Sequence, residues 1–325
     1  MEKSKIAILG AGAMGSLVGA FLIRGGADVI LVDPYEAHMD TIRTTGLTMH
    51  INEEMICQQI PTCYHADQAG PVDVVICLVK SLFTAKALLE AKALFKPSTL
   101  ILTLQNGLGN ADTISHLFSP DRILQGVMKI TSQLNAPGEL TSHILPELTA
   151  IHIGTMNGNA DAIVTAQLLV DYWCKGGLKA EYHDNINDFI WGKAVNNIAI
   201  NSACAIARLN IGSFLSEPKG WFITEQCIRE VIAVANAKGI KLNFDTVTES
   251  IQKNTIPKFG SHYPSTAQDV MNKKTTEIET LNGAIVKYGK QLGIPTPYNE
   301  CVAAFIQVIQ NHYSDMFYLS PPFYL

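Results

Sequence analysis

The stretch IAILGAGAMGSLVGAFLIRGGADVILVD, residues 6–33, decides the fold. An apolar run of strand length, Ile6 to Leu9, meets the turn Gly10-Ala11-Gly12-Ala13-Met14-Gly15. A helical pattern follows, and a second apolar run ends on Asp33. Strand, glycine turn, helix and strand in this order form the unit that a bound dinucleotide requires. Gly10 makes the tight turn, Gly12 lets the backbone approach a pyrophosphate, and Gly15 lets the helix pack on the strand. The phosphates then lie at the helix N-terminus, where backbone N–H groups and the helix dipole favour an anion. Asp33, eighteen residues past the third glycine, is placed to accept both hydroxyls of an adenine ribose. The preceding strand, the following helix and this acid separate the segment from a glycine turn that binds nothing.

Alternation of strand and helix continues outward from this unit. Val29 to Val32, Val72 to Val79 and Thr99 to Thr103 are further apolar or β-branched runs, with helical stretches between several of them. Such alternation predicts a parallel, doubly wound sheet. Leu47 to Ile51 and Ile56 to Ile60 read as short antiparallel strands joined by a polar Asn52-Glu53-Glu54 turn. Ile123 to Thr131 and Glu139 to Gly154 read as later strands, ahead of a helix from Ala160 to Trp173. Near Tyr182 the character changes. From Asp188 onward the spacing is helical, in Ile190 to Ala207, Trp221 to Ala237, Glu277 to Leu292 and Tyr298 to His312. The expected fold is an α/β Rossmann-type dinucleotide-binding domain over residues 1–185, followed by an all-α domain over residues 186–325 that carries substrate and catalytic groups. The boundary falls in the polar His183-Asp184-Asn185 segment.

Composition narrows the class further. A chain of 325 residues exceeds one ordinary core, and its 47% hydrophobic and 16% charged residues supply core material without a disordered tract. The net charge of -5, with no basic run, argues against nucleic acid as the partner. No stretch reaches the roughly eighteen uninterrupted apolar residues of a membrane span. The run Ile6 to Leu9 is interrupted by glycines and lacks a small-residue cleavage site, so it does not read as a signal peptide. The expectation is a cytoplasmic protein. Its seven cysteines, at 57, 63, 77, 174, 204, 227 and 301, stand singly without Cys-x-x-Cys spacing, as reduced thiols do, and no metal is expected.

The helix near Asp188 holds the first candidates for chemistry. Lys193, Asn197 and Asn201 are spaced i, i+4 and i+8, so they share a stripe about 80° wide on an otherwise apolar helix. Burying such groups bare costs several kcal/mol, so they require partners or a ligand. They either bind something or hydrogen-bond across the domain interface. Ser265 with Gln268, and Thr276 with Glu279, have the capping-box spacing that opens helices, which would make Glu277 a first-turn acid. Lys80 and Gln105-Asn106-Gly107 follow apolar runs, and residues just past strand ends line the ligand crevice of an open α/β sheet. Asn106-Gly107 equally fits a plain turn.

Together these blocks resemble the ketopantoate reductase family, the 2-dehydropantoate 2-reductases and related 2-oxoacid reductases. The resemblance spans nearly the whole chain: the turn Gly10 to Gly15, Lys80, Gln105-Asn106-Gly107, the helix Trp191 to Asn201, and Ser265 to Gly283 with Glu277 and Asn282-Gly283. It implies an NAD(P)H-dependent reductase in which Lys193 is the catalytic proton donor. By the same resemblance Asn197, Asn201 and Ser265 hold the substrate's carboxylate and hydroxyl groups. Asn106 sits between substrate and nicotinamide, and Lys80 and Glu277 lie on the cofactor side. One further asparagine of the family has no clean match, because Asn210 is one residue from the aligned position, Ile211. Asp33 also departs from the family, whose usual cofactor is NADPH. An acid there would face a 2'-phosphate dianion at close range, so NADH is expected. The substrate is then ketopantoate or another branched 2-oxoacid, and the nearest alternative is an NADH-linked D-2-hydroxyacid dehydrogenase of the D-mandelate type. A dinucleotide-binding protein without turnover is the rival from another class. The sequence leaves the assembly open between a monomer and a homodimer. The aromatic end, Phe317-Tyr318-Leu319 through Phe323-Tyr324-Leu325, suits docking on its own domain or on a second subunit.

Overall fold

A computed structural model describes residues 4–316, so the aromatic end named above lies outside the described residues. The chain divides into two compact units between Ile190 and Trp191. The first carries β1 (Lys5–Leu9), α1 (Ala13–Arg24), β2 (Asp28–Val32), α2 (Glu36–Thr45), β3 (Leu47–Ile51), β4 (Glu54–Gln58), β5 (Thr62–Cys63), α3 (Ala66–Ala69) and β6 (Val72–Cys77). It continues with α4 (Thr84–Glu90), β7 (Phe95–Thr103), α5 (Asn110–Ser115), β8 (Ile123–Met128), β9 (Thr131–Ala136), β10 (Glu139–His143), β11 (Ile151–Thr155), α6 (Ala160–Gly176) and β12 (Ala180–Tyr182).

The larger sheet runs β12-β11-β8-β7-β6-β1-β2-β5. From β8 to β5 every pairing is parallel. Alternation along the strands sends Ile6, Ile8, Val74 and Ile76 into one core, with α1 and α6, and Ala7, Leu9, Val75 and Cys77 into another, with α3, α4 and α5. Both faces are therefore covered, as parallel strands require. The chain winds from β1 toward β2 and later from β6 toward β7, so the winding direction reverses between β1 and β6. An open α/β sheet binds its ligands outside the carboxyl ends of its strands at such a point.

Two expectations about strands need correction. The sheet is not wholly parallel, because β11 runs antiparallel to β8. No crossover helix follows β8; the chain instead makes the β9–β10 hairpin and re-enters from the end of the sheet it left, which makes its next strand antiparallel. The stretch Glu139 to Gly154 is also not one strand. It splits at Pro146 into β10 and β11, which belong to different sheets. The smaller sheet, β4-β3-β10-β9, pairs β3 with β4 antiparallel and with β10 parallel. Leu47, Met49, Ile51 and Leu140 tie it to the core beneath α1.

Helix α7 (Asn187–Ala207) leads into the second unit, followed by α8 (Ile211–Ser216), α9 (Pro218–Ala237), α10 (Phe244–Ser250), α11 (Ile256–Phe259), α12 (Ser265–Met271), α13 (Asn282–Leu292) and α14 (Pro297–Asn311). Among its described residues this unit has helices and no strands. The expected helix Glu277 to Leu292 is broken: a 3-10 turn, Ile278–Thr280, precedes α13. A buried polar network joins the helices. Asn282 Nδ2 donates to the Ile198 carbonyl and to Asn299 Oδ1, both at 2.9 Å, and Ser202 Oγ donates to Asn282 Oδ1 at 2.8 Å. Glu230 of α9 accepts from the backbone N–H groups of Tyr298 and Asn299, each at 2.9 Å. Satisfied networks of this kind specify one packing arrangement, because leaving any member bare in the interior is costly. No helix among the described residues is long and apolar enough to cross a membrane.

Candidate active site

The glycine turn leaves β1 at Leu9. Gly10 adopts φ +94°, and its N–H donates to the Val32 carbonyl at 3.0 Å. A Cβ at Gly10 would lie 2.5 Å from Val79 N, and one at Gly15 would lie 2.1 Å from the Gly10 carbonyl oxygen. These two glycines serve the fold itself. Gly12 is different: a Cβ there meets no atom within 4 Å, yet the residue caps α1 without any side-chain cap and with no acid in the first turn. Nothing in the fold demands a glycine at that position. An exposed backbone at an undecorated helix N-terminus, carrying about half a positive charge, fits a pyrophosphate.

Around the turn lies a cleft of about 610 Å³ whose walls include Gly10, Gly12, Asp33, Tyr64, Lys80 and Lys86. Asp33 follows β2, and its Oδ1 accepts from the Tyr35 N–H at 2.9 Å, which fixes the carboxylate at the cleft wall. Lys80 follows β6 and is exposed. Gln105 is buried beneath this region. Its Nε2 donates to the Val79 carbonyl at 2.6 Å and to Thr84 Oγ1 at 2.8 Å, clamping the segment that carries Lys80. Asn106 has an exposed side chain, while its carbonyl accepts from Asn110 Nδ2 at 2.9 Å and Gly107 turns the chain at φ +84°. Both expectations for Asn106-Gly107, a turn and a place past a strand end, are met by the same loop.

Ala11, Ala13 and Met14 complete the turn. Ala13 opens α1, and Met14 packs against the core below it. Ala11 is buried, and its carbonyl accepts from Ser16 Oγ at 2.8 Å. Ser16 Oγ in turn lies 3.0 Å from Nε2 of the buried His38, whose Nδ1 accepts from the Gly138 N–H at 2.8 Å. An accepting Nδ1 leaves the proton on Nε2, so the ring is neutral and donates toward Ser16. Burial holds the His38 pKa below its usual value despite the opposing charge of Asp33. Local sequence gives no sign of this relay, since His38 has only the spacing of a core position on α2.

In the second unit α7 carries Lys193 and Asn197, both half-buried, and Asn201, buried. Asn201 Nδ2 lies 3.4 Å from Ser265 Oγ, so two expected substrate residues far apart in sequence are neighbours. Neither expected capping box forms. Pro264 occupies the N-cap of α12, which makes Ser265 its first residue, and Gln268 Nε2 donates instead to the Tyr263 carbonyl at 2.8 Å. The N–H and Oγ1 of Thr276 both bond Gln310 Oε1, at 3.1 and 2.7 Å, and Glu279 accepts from Gln307 at 2.6 Å. These long-range partners on α14 outcompete the local box. Glu277, half-buried, caps the 3-10 turn through its backbone.

Residues 6–158 match the family model for ketopantoate reductase PanE/ApbA, and residues 185–310 match that for the C terminal of the same enzymes. The chain belongs to the ketopantoate reductase family. Within that family it is 32% identical over 301 residues to a 2-dehydropantoate 2-reductase of Streptococcus pyogenes, covering 92% of this chain and 95% of the relative. Its identity to the 2-dehydropantoate 2-reductase of Halobacterium salinarum is 28% over 310 residues, covering 94% and 99%. Among solved structures it is similar to a D-mandelate dehydrogenase with NADH and anilino(oxo)acetate, at TM-score 0.86 and 29% identity over 95% of this chain and 99% of that one. A PanE/ApbA family ketopantoate reductase from Ralstonia eutropha gives TM-score 0.84 and 31% identity over the same shares.

Proposed function

We propose that this ketopantoate reductase family member reduces 2-dehydropantoate, or a similarly branched 2-oxoacid, to the D-2-hydroxyacid with NAD(P)H. The observation that carries the proposal is the polar stripe Lys193, Asn197 and Asn201 on one helix, with Ser265 beside Asn201. Gly10, Ala11, Gly12, Ala13, Met14 and Gly15 would hold the pyrophosphate, Asp33 the adenine ribose, and Lys80, Asn106 and Glu277 the remainder of the dinucleotide. When bound, a reduced nicotinamide supplies hydride to the C2 carbonyl carbon of the substrate.

The protein's own residues do the rest. As the carbonyl accepts hydride its oxygen becomes anionic, and Lys193 as ammonium donates a proton to that oxygen. A fixed cation also lowers the barrier electrostatically before the proton moves. Asn197, Asn201 and Ser265 orient the carboxylate and hydroxyl groups, with Asn106 between substrate and nicotinamide. Lys193→Ala should therefore reduce turnover by about 100-fold or more, within the 10²–10⁴ range of a general acid, while fluorescence titration shows NADH still binding. Near-normal turnover in that variant overturns the assignment. A second reading, an NADH-linked D-2-hydroxyacid dehydrogenase of the D-mandelate type, is favoured by Asp33 at the cleft wall. A 2-oxoacid panel assayed with both cofactors separates the two.

A further inference from the structure

The far edge of the larger sheet carries a cluster that this reaction does not use. His152 of β11 pairs in parallel register with Glu181 of β12, and His183 follows directly after that strand. Side chains alternate along a strand, so Glu181 and His183 share a face, and the register sets His152 beside them. His152 Nδ1 and His183 Nε2 are 2.9 Å apart, and Glu181 Oε2 lies 3.9 and 3.6 Å from them. A point equidistant from these three atoms is about 2.0 Å from each, within the range of Zn–N and Zn–O bonds.

The surroundings hold these donors in place. Glu181 Oε1 accepts from Thr149 Oγ1 at 2.7 Å, which orients the carboxylate with Oε2 toward the imidazoles and holds its pKa below the usual range. Phe189 stacks on both rings, with centroids 4.5 and 3.9 Å away, and fixes their planes. Outer contacts of this kind orient ligands in metal sites. Burial, reinforced by Lys129 and by His183, pushes the His152 ring down to about 4, and burial lowers His183 as well. Burial thus disfavours the imidazolium form of both rings, and metal binding takes the neutral ring.

We propose that His152, Glu181 and His183 form a binding site for a divalent transition-metal ion, with zinc as the best match and water completing the coordination. Two imidazoles and one carboxylate are a donor set that suits zinc rather than magnesium or calcium. Two features limit its strength. Lys129 places a cation nearby, and His152 Nε2 is buried with no hydrogen-bond partner, so the ring's outer N–H lacks the acceptor found in tight sites. The expected affinity is therefore on the order of micromolar rather than that of a structural zinc. The bound ion would pin edge strand β12 to β11.

The test uses tag-free, chelator-treated full-length protein titrated with Zn²⁺ against a chromophoric competitor, and with Co²⁺ while visible d–d bands are recorded. The expected result is one ion per chain in a low-coordinate nitrogen and oxygen site, with the melting temperature raised by zinc. His183→Ala and the near-isosteric Glu181→Gln should each weaken binding at least tenfold while keeping the metal-free circular dichroism spectrum. Replacing the exposed thiols Cys57, Cys174 and Cys301 by serine should leave binding unchanged. Equal affinity in wild type, His183→Ala and Glu181→Gln, or loss of the ion in the serine variant, overturns the proposal.

Discussion

At the scale of single residues, the role proposed for Asp33 is to choose between two cofactors. Its carboxylate is held by the Tyr35 N–H at 2.9 Å, so it would stay turned toward a ribose bound as proposed. Two ribose hydroxyls suit such an acceptor, whereas a 2'-phosphate meets a like charge. The kcat/KM ratio should favour NADH over NADPH by about tenfold or more, equivalent to roughly 1.4 kcal/mol. Asp33→Ser should narrow that ratio, as read in parallel initial-rate assays; a wild-type enzyme faster with NADPH refutes the expectation. Other residues differ in how far the sequence disclosed them. Helical spacing alone converts Lys193, Asn197 and Asn201 into one face. The nearness of Ser265 to Asn201 spans 64 positions and was legible only through the family resemblance. The Ser16–His38–Gly138 relay joins three segments whose local patterns carry no mark of it.

At the scale of elements, the glycine turn separates what the fold requires from what the proposed dinucleotide would require. Gly15→Ala drives a methyl group into the Gly10 carbonyl, 2.1 Å away, between β1 and α1. The expected cost is about 1–3 kcal/mol or more, as for overpacking against a backbone that cannot yield. Gly12→Ala adds its methyl group to open space, so the melting temperature should hold while the dinucleotide Kd rises at least tenfold. Thermal melts and NADH titrations of both variants check the contrast, and equal binding by Gly12→Ala and wild type counts against the turn as the phosphate cradle. Elements whose signal is internal periodicity, such as β1, α1, β2 and α7, were legible in the sequence. Those decided by distant partners were not: the reversed β11, the broken segment before α13, and the Thr276–Glu279 box displaced by Gln310 and Gln307 of α14, whereas the Ser265–Gln268 box is displaced locally by Pro264.

At the scale of the whole molecule, the change near Tyr182 from alternating strand and helix to helix alone marks an α/β unit followed by a helical one. The cysteines distribute across both in a way that can be measured. Cys57, Cys174 and Cys301 are exposed, and Cys63, Cys77, Cys204 and Cys227 are buried. Burial pushes Cys77, Cys204 and Cys227 up to about 12, and raises Cys63 as well. Thiolate, the reactive form, is then scarce where access is also lacking. A thiol reagent should label the three exposed cysteines quickly in the native protein and the other four only on unfolding, with mass spectrometry of the labelled peptides as the readout.

The parallel pairing of β3 with β10, with Leu140 opposite Met49, also sets an order of events during synthesis. Strand β3 leaves the ribosome about ninety residues before its neighbour, and contacts so distant in sequence form late. Until β10 arrives, Leu47, Met49 and Ile51 belong to a two-stranded hairpin, which alone is marginally stable in water. The nascent chain thus presents an apolar face and an unfilled strand edge for nearly half of the time taken to translate the first unit, the kind of surface that holding chaperones cover.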